Sequence, residues 1–166
     1  IVITGMHHSF VAIETQLLAD IATTGGSFIF PVAAMSNVAQ GAAALSVLLI
    51  LRKDNKMKGI ASASGISALL GITEPAIFGV NLKLRYPFFG AMIGSAVGSA
   101  YVMLTKVLAI SPGAAGLPGI ISIRPTSIVN YIIAMILSMV VAVVSTIVIA
   151  KFMNKKQVVN DEHIAA

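Results

Sequence analysis

Ionisable side chains are scarce in the apolar parts of this sequence. Glu74 stands out among them, in the run GITEPAIFGVN from Gly71 to Asn81. A charge at bilayer depth costs about 3 kcal/mol on insertion scales, and such groups generally line a cavity or meet a ligand. Glu74 is therefore expected beside a cavity, neither facing bulk solvent nor locked to a permanent cation. A carboxylate can accept hydrogen bonds from two neighbouring hydroxyls, and a charged acceptor makes the stronger bonds. Thr73 and Asn81, with Asn37 and Gln40 from another apolar run, would add neutral partners. This set suits a polyol.

A second polar group opens the chain: His7 and His8, followed by Glu14, Gln16 and Asp20. In a helix His7 and Glu14 lie two turns apart on one face. The plainer reading of Glu14 and Asp20 is a capped helix start, which we favour for Asp20. For the histidines the plainer reading is interfacial hydrogen bonding. Adjacent histidines point about 100° apart in a helix, and no HExxH spacing occurs, so no metal is expected. With no cysteine there is no disulfide or thiolate nucleophile. No GxxxxGK[ST] loop and no glycosidase-like carboxylate pair is found, so no nucleotide cofactor is expected. The chemistry on offer is binding, not cleavage.

The elements that must position these groups are helices in a membrane. The 166 residues are 57% apolar and 10% charged, where a soluble domain has about 25% charged residues. Ser127 to Ala150 is a charge-free run of about 36 Å as a helix. Phe88 to Ile110 is a second span, with Lys106 expected to snorkel near its far end. Phe28 to Leu51 is a third. The net charge of +5 gathers in clusters at span ends, Arg52 to Lys58, Lys83 to Arg85 and Lys151 to Lys156. That pattern is the positive-inside signature and not a nucleic-acid surface. If all three clusters share one side, Gly59 to Leu82 must leave and return as a re-entrant hairpin. Pro75 suits the first turn of a helix, which would put Glu74 at the cap of a helix break. Ser111 to Pro125, rich in Gly and Pro, reads as a loop or a second shallow re-entrant element. Gly90, Gly94 and Gly98 open a flat helix face, expected to pack within one protomer. Met135 and Met139 read as core or lipid-facing filler. The polar tail from Gln157 should be loose.

The fold class expected is an all-α integral membrane protein, spanning helices plus re-entrant hairpins. The chain opens IVITGMHH and resembles a piece of a longer protein. TGMHHSFVAIETQLLAD (Thr4 to Asp20), FPVAAMSNVAQGAAAL (Phe30 to Leu45), SGISALLGITEPAIFGVNLKLRYPF (Ser64 to Phe88) and AISPGAAGLPGIISIRP (Ala109 to Pro125) closely resemble the membrane component, enzyme IIC, of bacterial phosphotransferase-system permeases. The blocks are most similar to the sucrose branch, with trehalose and β-glucoside permeases as alternatives.

The resemblance implies that residues 1–150 are the C-terminal, sugar-binding part of a partial IIC domain and 151–166 a polar cytoplasmic tail. It implies a disaccharide substrate contacted by Glu74 and by His7 or His8, with Glu74 also able to activate the attacking hydroxyl. It further implies phosphorylation by a cysteine-bearing IIB domain fed by IIA. A homodimer through other IIC helices and a bacterial plasma-membrane location follow from the same resemblance. Two other classes compete on the residues alone: a proton-coupled secondary sugar transporter, and a membrane subunit that only packs.

Overall fold

Three runs of this chain are too apolar for water and long enough to close all their backbone hydrogen bonds internally, as lipid requires. Each forms a helix in the computed structural model, which describes residues 7–51, 54–113 and 115–164. A short N-terminal arm comprises α1 (His7–Ala19) and α2 (Ile21–Thr24), and the first spanning helix is α3 (Ile29–Ile50). Then come α4 (Asn55–Leu69), a returning arm built from α5 (Glu74–Ala76), a π-helical turn (Ile77–Asn81) and α6 (Leu82–Leu84), and the second spanning helix α7 (Tyr86–Leu104). Two 3-10 turns, Leu117–Ser122 and Pro125–Ser127, lead into α8 (Ile128–Ile164). Three helices, α3, α7 and the segment Pro125–Met153, are long and apolar enough to cross a membrane. Among the described residues there is no strand; only isolated antiparallel bridges join Ala109 to Ser27 and to Ile123.

The second span ends earlier than its composition suggests, at Leu104 instead of Ile110. Lys106 adopts a positive φ of 51° and is exposed, and beyond it the backbone turns to pair Ala109 with Ser27 through two 2.8 Å hydrogen bonds. The last helix continues into the polar tail. The backbone stays helical to Ile164, because no glycine or proline interrupts the run after Pro125.

The hairpin expected between the basic clusters is present. Asp54 caps α4, its carboxylate accepting from the Met57 amide at 2.9 Å. That satisfies one of the amides a helix start leaves free. α4 lies along α3 because two glycines face each other: a Cβ on Gly41 would sit 2.9 Å from the Gly65 carbonyl oxygen. The chain turns over at Leu70–Thr73, where Gly71 takes a φ of 106° and Ser67 holds Ile72 through its carbonyl and its hydroxyl, both at 3.0 Å. The returning arm ends at Arg85, whose φ of 64° breaks the helix before Tyr86. One buried cluster then unites Val47, Met57, Val80, Tyr86 and Ala150, with Leu51 and Leu84 against it. The start of α4, the end of the returning arm and the polar end of α8 thus share one end of the bundle, as the charge clusters require.

Gly90, Gly94 and Gly98 serve close packing within this chain. A Cβ on Gly94 would lie 2.6 Å from both the Ser138 carbonyl oxygen and Ala142 Cβ, and one on Gly98 2.6 Å from Ser138 Cβ. The Ser138 hydroxyl, fully buried, is 3.0 Å from the Gly94 carbonyl and 3.1 Å from that of Met35, linking all three spanning helices. Met135 is core. Gly94→Leu is therefore expected to abolish accumulation of the folded protein in membranes. Gly59→Ala, at a helical position with open space around it, should raise stability by about 0.5–1 kcal/mol. The amount of full-length protein recovered in membranes checks the first, and thermal unfolding of the detergent-solubilised protein the second.

Candidate functional site

The returning arm presents two faces, and the helical period decides which residues share one. Thr73, Ala76, Ile77, Val80 and Asn81 are buried, whereas Glu74, Pro75 and Phe78 are exposed. Spacings of three and four place the first group on one stripe against α3 and α4. Glu74 sits one step round the helix and faces outward. Its carboxylate has no hydrogen-bond or ion-pair partner among the described residues. The expectation of an enclosed carboxylate is not met: Glu74 is exposed, and it meets no cation among the described residues.

Thr73, not Glu74, is the cap residue, and Glu74 opens the helix with Pro75 just after it. The Thr73 hydroxyl makes no cap bond, so a buried residue beside Glu74 keeps an unused donor and acceptor. Asn81 is completely buried. Its amide nitrogen donates to the Gln40 side-chain oxygen at 2.6 Å and lies 3.1 Å from the Gln40 carbonyl. Its own oxygen has no partner among the described residues. The π-helical turn brings Asn81 onto α3; π-bulges recur at functional sites, but here the widened turn aims the amide at Gln40 and away from Glu74. Thr73 stays adjacent to Glu74, whereas Asn81 and Gln40 form a separate buried pair.

The height of Glu74 along the bundle follows from Asn37. Its amide nitrogen donates to the Ala115 carbonyl and lies 3.5 Å from that of Gly71. The hairpin tip is thus level with residue 37 of α3, roughly 20 Å from its basic end and 12 Å from its start at 1.5 Å per residue. Ser111 to Pro125 does fold inward as a second shallow element and meets the tip there. Two helix breaks converge midway along the spans, with a carboxylate beside them. A cleft of about 410 Å³ runs between α4 and the returning arm, lined by Ile60, Ala63, Ser64, Ser67, Pro75 and Gly79. A larger groove of about 480 Å³ between α3 and α8 is lined almost wholly by apolar side chains such as Leu45, Leu49 and Val144. Neither set of lining residues includes a charged side chain, and Glu74 is in neither.

The N-terminal set is only partly visible. The backbone places His7, His8 and Glu14 on α1, in the register that puts His7 and Glu14 on one face. The histidine side chains lie outside the described residues. Glu14 is not a helix start; its carboxylate accepts from the Ser27 hydroxyl at 3.2 Å. Asp20 does stand at the N-cap of α2, yet without a side-chain cap bond. Its carbonyl instead accepts from the Thr23 and Thr24 amides. No group of three or more metal-ligating side chains occurs among the described residues. Asn37, expected as a neutral partner for a polyol, donates its amide to the Ala115 carbonyl, a contact 78 residues away that spacing does not show.

Residues 1–95 match the family model described as "Phosphotransferase system, EIIC". The "PTS system sucrose-specific EIIBC component" of Staphylococcus xylosus is 66% identical over 139 residues, covering 82% of this chain and 29% of that protein. The protein of the same name from Vibrio alginolyticus is 66% identical over 148 residues, 89% of this chain and 31% of its own length. The "PTS system trehalose-specific EIIBC component" of Bacillus subtilis is 47% identical over 155 residues, 93% of this chain and 32% of that protein. The chain thus spans about a third of the relatives it matches. No solved structure matches it.

Asn81→Ala is expected to lower stability by about 1–3 kcal/mol, since it leaves the buried Gln40 oxygen without its donor. The sugar affinity of the folded fraction should stay within about twofold of the parent. Unfolding and sugar-binding titrations on the full-length protein separate the two effects.

Proposed function

This chain belongs to the phosphotransferase system EIIC family, and from that we propose that it is the sugar-binding part of a sucrose permease that couples uptake to phosphorylation. The observation that carries the reading is Glu74: an unpartnered carboxylate at the tip of a hairpin, midway along three membrane-spanning helices. A group so costly in lipid is retained where a ligand completes it. Sucrose is favoured over trehalose because the sucrose-specific relatives above are 66% identical and the trehalose-specific one 47%.

On this reading Glu74 accepts hydrogen bonds from two sugar hydroxyls. The Thr73 hydroxyl offers a neutral partner beside it. His7 or His8 orients the sugar from α1, in line with the family resemblance. Broken helices near this depth are where other transporters place their substrate sites. The phosphoryl donor is a IIB cysteine: its S–P bond breaks as the new O–P bond forms, and the sugar hydroxyl gives up its proton. Glu74 stands ready to accept that proton. This chain contains no cysteine, so the carrier residue belongs to the IIB part that the relatives' EIIBC names denote. IIA feeds IIB, and two copies of the full protein pair in the bacterial plasma membrane. The polar end after residue 150 faces the cytoplasm.

Glu74→Gln in the full-length protein should weaken sucrose binding about 10- to 150-fold, the loss of 1.5–3 kcal/mol that accompanies a bond to a charged group. Uptake should require phosphoenolpyruvate and deliver a sugar phosphate. Uptake driven by a proton gradient and delivering free sugar would make the protein a secondary carrier. Unchanged binding by Glu74→Gln would leave a subunit that only packs.

A further inference from the structure

We propose that Asn37 is a positioning residue for Glu74: its side-chain amide pins the hairpin tip to the second inward element and so holds the carboxylate in place. This rests on the sugar-binding reading of Glu74 given above. The amide nitrogen lies between two carbonyls from elements far apart in sequence, bonded to Ala115 and 3.5 Å from Gly71. Both neighbours are acceptors, so only the nitrogen can face them, and each of its two hydrogens has one carbonyl to meet.

The backbones on either side are in contact without side chains between them. A Cβ on Gly116 would lie 2.5 Å from the Leu69 carbonyl oxygen and 2.8 Å from the Gly71 nitrogen. One on Gly71 would lie 3.3 Å from the Ala115 carbonyl oxygen, at a φ of 106° that L side chains rarely adopt. The Tyr131 hydroxyl, completely buried on α8, reaches the Gly116 carbonyl at 3.3 Å and holds the second element from behind. The tip is therefore clamped between α3 and a loop that is itself anchored to α8. Glu74 is three residues beyond Gly71, on the turn whose amide Ile77 bonds to Thr73 at 2.9 Å. A shift at Gly71 carries straight to the carboxylate.

Asn37 does not touch the sugar on this account, which separates it from a binding residue. Its effect must pass through Glu74. A double-mutant cycle reads that dependence, since residues acting through one another are non-additive. Sucrose dissociation constants are measured by calorimetry on the solubilised full-length protein. Asn37→Ala should raise the constant about tenfold when Glu74 is present. In a Glu74→Asp background, where the carboxylate is already withdrawn by one methylene, the same change should raise it less than threefold. Gly116→Ala should show the same pattern from the opposite side of the clamp. Where Asn37→Ala does not fold, Asn37→Ser, which keeps a single donor, is measured by the same criterion. An equal factor in both backgrounds, or an unchanged constant for Asn37→Ala while Glu74→Gln is weakened, overturns the positioning role alone. Wild-type binding by Glu74→Gln overturns the sugar-binding reading itself.

Discussion

The structure depends on one demand of lipid: every backbone polar group at membrane depth must find a partner inside the protein. Continuous helices meet that demand without help. Two of this chain's inward elements are not continuous. The hairpin turns at Leu70–Thr73, and the segment between α7 and α8 runs through Gly113, Ala115 and Gly116 before its 3-10 turn. The carbonyls released at these breaks are met by side chains placed on intact helices, Asn37 on α3 and Tyr131 on α8. The spanning helices thus supply hydrogen bonds as well as thickness.

Close packing answers a second demand. Lipid tails are as apolar as leucine, so helices associate in a membrane through contact and interhelical hydrogen bonds more than through exclusion from water. Here the contact comes from paired small residues: Gly41 against Gly65, and Gly94 and Gly98 against Ser138 and Ala142. Ser138 adds the hydrogen bond where three helices meet. The large apolar side chains Ile93, Ile136, Val140 and Val144 remain exposed.

The same economy shapes the site. Glu74 has no hydrogen-bond or ion-pair partner among the described residues, while Thr73 and Ala76 on either side of it are buried. The stripe that packs the returning arm onto α3 runs through Thr73, Ala76, Ile77, Val80 and Asn81. Glu74, one position on from Thr73, is exposed. The arm is seated on α3 while its carboxylate stays exposed. Asn81 illustrates the converse: a polar residue in the same motif spends its donor on Gln40 and serves the packing.

Much of this was legible in the residues. Long apolar runs with almost no charge locate the three spanning helices, because hydrocarbon thickness and helical rise leave little choice. The basic clusters forced a hairpin between Lys58 and Lys83, since like ends must share a side. The family was carried by contiguous blocks of sequence. What remained hidden was set by contacts between distant positions. The end of α7 at Leu104 depends on Ala109 pairing with Ser27, and the direction of Asn37 depends on Ala115. That Glu74 and Asn81 part company depends on a π-helical turn between them. Neighbours in sequence limit the local backbone, but only the folded chain decides which carbonyl a side chain meets.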